Sequence, residues 1–177
     1  MSEVETLSQY GDTGGSDVNR DLREGHGMSE TFAARMDAIF ARAAPLAEPL
    51  VAFRGVSTLP GDDRANDPGA RLRRVFGRDS VVAGDVFSDR AFMSLTLDDE
   101  MASRFAGSKS VAKVNTGIIL ELSVPKGARV LKGREDETEV ILPRNTKFRV
   151  SSVKEGAKVK GYEHIVGPLR IRAEVVL

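Results

Sequence analysis

The chain has 177 residues, no cysteine, two histidines, and 26 basic side chains balanced by 26 acidic ones. That length suits one domain with a real hydrophobic core. The lack of cysteine excludes a disulfide framework, a thiolate nucleophile and any cysteine-based metal site. A neutral balance gives no general reason to expect DNA or an anionic membrane as partner, and no apolar run approaches the roughly 18–20 residues that span a bilayer. The histidines, His26 and His164, stand far apart, so a four-ligand zinc site is not expected.

Residues 1–15 are acidic and polar, unlike a secretory signal peptide, and end in the Gly-rich GDTGG. They are expected to form a flexible lead-in to a single domain over 16–177. Ser16 is a candidate cap for a short helix through VNRDLR, with Val18 and Leu22 on one face. In SETFAARMDAIFARAA, Phe32, Met36, Ile39 and Phe40 follow helical spacing; Ser29 stands at the cap position and Pro45 and Pro49 end the pattern. Strands then take over. PLVAFRG is the first, stopped by Gly55, and LPGDDRANDPG reads as irregular loop before a short helical stretch in DPGARLRRVFG. AFMSLT is a second strand, followed by a helix through MASRFA capped by Asp98. GIILELSV, TEVILP, TKFRVSSV and PLRIRAEVVL complete the set. Helices first and strands later is the order of an α+β domain.

Three elements place polar residues at strand ends. Arg54 closes an apolar strand, and its planar fork of donors suits phosphate or carboxylate; pairing with a local acid is the alternative. Ser94 and Thr96 alternate along FMSLT and so share a face, where hydroxyls can orient a ligand. In REDETEVILP, four carboxylates in five residues run into an apolar strand. Glu137 and Glu139, two apart, lie on the same side of an extended chain. Such a pair can divide labour between developing positive charge and an acceptor, although a solvated acidic turn would look the same. Neither histidine supports a Ser-His-Asp arrangement.

Taken together, the order Arg, then Ser-x-Thr after an aromatic, then Glu-x-Glu before an apolar strand resembles the arginine–serine–glutamate class of mono-ADP-ribosyltransferases. These are NAD-dependent enzymes that include bacterial toxins and phage proteins. FRGV, SDRAFMSLTLDDEMASRFA, ETEVILPRNTKFRV and the upstream VNRDLR all have counterparts in that class, so the resemblance runs from about Tyr10 to the C-terminus. The usual Ser-Thr-Ser reads Ser94-Leu95-Thr96 here, and Lys109 in GSKSVAKVNTG stands where the toxin branch often has an arginine.

The resemblance implies two mostly antiparallel, perpendicular sheets around an NAD cleft, with the N-terminal helices alongside. It assigns Arg54 and Arg23 to the NAD phosphates, with Asn19 as a further ligand on the same helix. Gly55 would contact the nicotinamide amide, Phe105 would stack near its ring, and Lys109 would add charge from a closing loop. Ser94 and Thr96 would hold the nicotinamide ribose region, Ser94 also orienting Glu139. Glu139 would be the catalytic glutamate, bonding the ribose 2′-hydroxyl as the glycosidic bond breaks. Glu137 would face the acceptor; in this family Glu there goes with arginine targets and Gln with asparagine or others. NAD would serve as co-substrate without a metal. The implied partners are a target protein presenting an arginine and, as a further candidate, an immunity or inhibitor protein. Membrane is not among them, and nucleic acid is not favoured. The implied place of action is the cytosol of a bacterial or host cell, after injection or secretion without a signal peptide. An NAD glycohydrolase or an RNA-modifying transferase would use the same site, and a non-catalytic binding or virion module would share only the fold.

Overall fold

Alternation of apolar and polar residues fixes which face of each long strand is buried. The computed structural model describes residues 2–11, 15–57, 72–73, 75–106, 117–156, 158–159, 162–166 and 168–177. Its strand β10 (Leu169–Val176) buries Leu169, Ile171, Ala173 and Val175 and turns Arg172 and Glu174 outward. β4 (Ile118–Val124) puts Ile118, Leu120, Leu122 and Val124 into the same core, while Ile119 faces the other way. These two run parallel; every other neighbouring pair in the main sheet is antiparallel.

The remaining strands of that sheet are β1 (Leu50–Val56), β2 (Val86–Ser88), β3 (Met93–Thr96), β5 (Leu131–Lys132), β6 (Glu139–Leu142) and β7 (Lys147–Lys154). Their order is β2-β7-β10-β4-β1-β3-β6-β5, and β8 (Lys158–Val159) and β9 (Tyr162–Val166) form a separate pair. The α+β class and the mostly antiparallel pairing agree with the sequence reading. The two expected layers are joined into one ladder, but barely. β1 pairs with β4 over seven residues and with β3 through Phe53↔Thr96 alone.

β6 is buried on both faces, which is why its residues are all apolar after Glu139. Val140 and Leu142 enter the main core. Ile141 joins Phe92 in a second core with Met36, Ile39 and Phe40 of α3 (Glu30–Arg42) and Leu22 of α2 (Gly15–Glu24). Arg144 pins α3 to the end of β6: Nε donates to Asp37 Oδ2 (2.8 Å) and Nη1 to Glu30 Oε2 (2.9 Å). Ser29 precedes α3 as expected, but its side chain makes no cap bond; its backbone N–H goes to Asp21 Oδ2 instead (2.6 Å).

The N-terminal stretch corrects the expectation of a loose lead-in. Residues Glu3–Gln9 form helix α1, started by a capping box in which Ser2 Oγ accepts from Glu5 N and Glu5 Oε2 accepts from Ser2 N. An Arg42–Glu3 ion pair ties α1 to α3, and Tyr10, 3% exposed, belongs to the second core. The expected loop LPGDDRANDPG lies outside the described residues; beyond it the chain is helical at 72–73 and 75–76.

Asp98 caps the last helix as its position predicted, accepting from Glu100 N (2.8 Å) and Met101 N (3.3 Å). This helix, α4 (Asp99–Ala106), lies on β1 and β4 through Ala102, Ala106, Ile119 and Phe53. It comes so close because Gly55 and Gly117 have no side chain. A Cβ on Gly55 would overlap the Ala102 carbonyl, and one on Gly117 the Ala106 carbonyl. Replacing Gly55 with Ala should lift α4 from the sheet and cost about 2 kcal/mol or more, since backbone atoms cannot yield as a side chain can. Urea unfolding of the variant measures this, as a lowered midpoint.

Candidate active site

The cleft opens where the ladder is thinnest. Around the single β1–β3 pair, a cavity of about 430 Å³ is lined by Arg54 and Gly55 from β1, Ser94 and Thr96 from β3, and Glu139 from β6. Tyr10, Asn19, Arg134, Glu137 and Phe105 also face it. The three separated motifs of the sequence therefore meet in one place.

Glu139 is the first residue of β6 and is 9% exposed. Its carboxylate lies across the backbone of the preceding turn, where Oε2 accepts the Arg134 N–H (3.0 Å). A glycine is required beneath it: a Cβ on Gly133 would overlap Oε2 and Cδ of Glu139. Thr138, between the two glutamates, has φ +46°, a left-handed conformation that is unusual for a β-branched residue. This corrects the expectation that Glu137 and Glu139 share a face of one extended strand. Glu137 belongs to the turn, and the kink, not strand alternation, brings both carboxylates to the same cleft. Thr96 holds the turn in place by donating from Oγ1 to Glu137 O (2.8 Å).

Glu137 is half-buried, and Arg134 Nη1 stands 3.5 Å from its Oε1. Arg134 is also forked onto Asp136 (Nε–Oδ1 3.2 Å, Nη2–Oδ2 2.9 Å). That contact raises the Arg134 pKa and lowers that of Asp136. Glu135 pairs with Lys132 at the surface. The four-acid cluster thus divides into two solvated members and two that line the cleft.

Arg54 is half-buried, but its Nη1 is cut off from solvent and has no hydrogen-bond partner among the described residues. Burial, with Arg23 nearby, lowers its pKa. A buried donor without an acceptor is costly in the free protein, so this atom is poised for an anionic ligand. Arg54 also lines a second cleft of about 800 Å³, with Arg23, Arg90, Phe87 and Phe148 in its wall. Arg23 is forked onto Asp89 (Nε–Oδ1 3.0 Å, Nη2–Oδ2 2.7 Å).

Asn19, 7% exposed, is committed to other parts of the chain: Oδ1 accepts the Phe92 N–H (3.1 Å) and Nδ2 donates to Tyr10 Oη (2.8 Å). Tyr10 Oη lies 3.3 Å from Ser94 Oγ, and the ring meets Phe92 edge to face at 6.0 Å. Phe105 is on the cleft wall but 47% exposed, and Lys109 lies outside the described residues. Sequence reasoning missed Tyr10 and Gly133. The Ser2-x-x-Glu5 capping box could have signalled that the segment leading to Tyr10 is ordered; nothing marked Gly133.

A family model described as ADP-ribosyltransferase exoenzyme matches residues 1–169. The chain belongs to this family. Solved structures of ADP-ribosyltransferases share its fold. Plx2a, a toxin from Paenibacillus larvae, superposes with a TM-score of 0.67 at 18% identity, covering 100% of this chain and 88% of that one. C3larvin toxin from the same organism gives 0.66 at 19% identity, covering 99% and 95%. C3stau2 from S. aureus, solved with NAD, gives 0.65 at 18% identity, covering 97% and 85%. No match was found among curated proteins.

Tyr10 is open to a direct check. Burial raises its pKa, so the folded state holds the phenol proton more tightly than the unfolded one. Its stabilising contribution is complete below the ordinary phenol value and is lost as pH rises from there through the folded value. Tyrosinate absorbance should show Tyr10 ionising above the ordinary range. Unfolding at alkaline pH should show wild type losing stability there relative to Tyr10→Phe.

Proposed function

We propose that this chain transfers the ADP-ribose of NAD to an arginine side chain of a target protein and releases nicotinamide. The observation that carries this reading is the convergence, in one cleft, of two carboxylates and a buried Arg54 donor without a partner among the described residues. NAD supplies a positively charged nicotinamide as leaving group, and positive charge spreads over the ribose as that bond breaks. A carboxylate fixed nearby stabilises such charge more strongly in a partly dry cleft than in water, and Glu139 is held in that way. The two clefts that share Arg54 suit a dinucleotide: its nicotinamide ribose end at Glu139, its phosphates at Arg54, and its adenosine half toward Arg23 and Arg90. Arg23 and Ser94 are read as further ligands, and Gly55 and Phe105 as contacts for the nicotinamide.

Arginine as acceptor rests on Glu137. A carboxylate at the cleft mouth suits a guanidinium, and the nearby Arg134 guanidinium already stands beside it. The place of action proposed is the cytosol of a target cell, where both NAD and protein acceptors are present.

Two experiments bear on this. With NAD and a small guanidine acceptor such as agmatine, Glu139→Gln should lower nicotinamide release by about 100-fold or more. Glu137→Gln should leave release near wild type while transfer to agmatine falls by about 100-fold. Unchanged release by Glu139→Gln would sink the assignment; unchanged transfer by Glu137→Gln would remove arginine as the acceptor. Separately, Gly133→Ala should evict the Glu139 carboxylate rather than disturb the backbone. Its melting temperature should stay within about 3 °C of wild type, with nicotinamide release lost by about 100-fold.

A further inference from the structure

Around the cleft, one chain of polar groups links Phe92, Asn19, Tyr10 and Ser94, and its direction is fixed where it starts. It starts at the backbone N–H of Phe92, which can only donate, so the atom of Asn19 that meets it must be the carbonyl Oδ1. The Asn19 Nδ2 is then the donor to Tyr10 Oη at 2.8 Å. With its oxygen accepting from Asn19, the phenol has its own proton left to give, and Ser94 Oγ is the partner in reach at 3.3 Å. With the phenol as donor in that contact, Ser94 keeps its own proton for the cleft.

We infer that Tyr10 is a positioning residue for the transfer reaction: the Phe92–Asn19–Tyr10 series fixes Ser94 as a hydrogen-bond donor toward the Glu139 carboxylate. This rests on the proposed function and extends it to a residue outside the three motifs. A serine hydroxyl left alone rotates and can accept as readily as it donates. A donor from behind removes that freedom. Tyr10 and Asn19 are both almost fully buried, so water competes little for the bond between them. Burial also keeps the phenol protonated across the neutral range, as a donor must be. The Tyr10–Ser94 separation is long for an O–H···O bond; catalytic contacts of this kind commonly tighten once substrate is bound.

The structure gives Tyr10 a packing role as well, through its ring against Phe92, so the test must separate the two. Tyr10→Phe keeps the ring and removes only the donor. Steady-state nicotinamide release from NAD would be measured for wild type, Tyr10→Phe, Ser94→Ala and the double variant, with melting temperatures recorded alongside. The expected result is a kcat about tenfold lower for Tyr10→Phe, with KM for NAD little changed. The double variant should be no slower than Ser94→Ala alone, because Tyr10 acts through Ser94. Asn19→Asp, which still accepts from Phe92 but no longer donates to the phenol, should show the same kcat loss. A Tyr10→Phe enzyme with wild-type kcat would overturn the inference, and so would losses that multiply in the double variant. Wild-type protein that releases no nicotinamide would overturn the proposed function itself, a result distinct from either.

Discussion

The site depends on one narrow join, the pairing of Phe53 with Thr96 that is the one ladder pair between β1 and β3. A ladder with full pairing there would close the gap and leave no room for a ligand. No pairing at all would let the two halves of the sheet drift, and with them Arg54 and Glu139. Thr96 serves the join in three directions. Its backbone pairs with β1, its hydroxyl donates to the Glu137 carbonyl, and the same oxygen accepts the Asp98 N–H just before α4. One residue therefore sets the spacing of the sheet, the acidic turn and the helix that covers β1.

The second constraint is electrostatic. Arg54 is held with a donor out of solvent and no acceptor to meet it among the described residues, which opposes folding. The surrounding apolar strands supply the compensating burial: β4, β10 and β6 place almost every inward residue in a core. The free protein thus carries a local destabilisation that an anionic ligand would relieve. Preorganisation of this kind favours binding because little must be rearranged when the ligand arrives.

The long strands and both larger helices were legible in the sequence, because their apolar residues repeat with clear periods of 2 and 3.6. β2 and β5, three and two residues long, carry no period at all. The motif residues Arg54, Ser94, Glu137 and Glu139 were found, and they do converge. What sequence could not give was how they are supported. Tyr10 sits in a segment that composition marks as loose, and its burial depends on Phe92 and α3, which are distant in the chain. The relation between the two glutamates was also beyond reach, since strand alternation says nothing when the residue between them is left-handed. Gly133 matters only because a carboxylate from six residues later lies across it.

That left-handed residue, Thr138, has a consequence for how such a protein can diversify. The kink places Glu137 outside the rigid strand and Glu139 inside it. On the proposed reading, in which Glu137 meets the acceptor and Glu139 the ribose, the first can therefore vary without passing strain to the second. Choice of partner and bond cleavage become separately adjustable, although the residues responsible are only one apart from being neighbours.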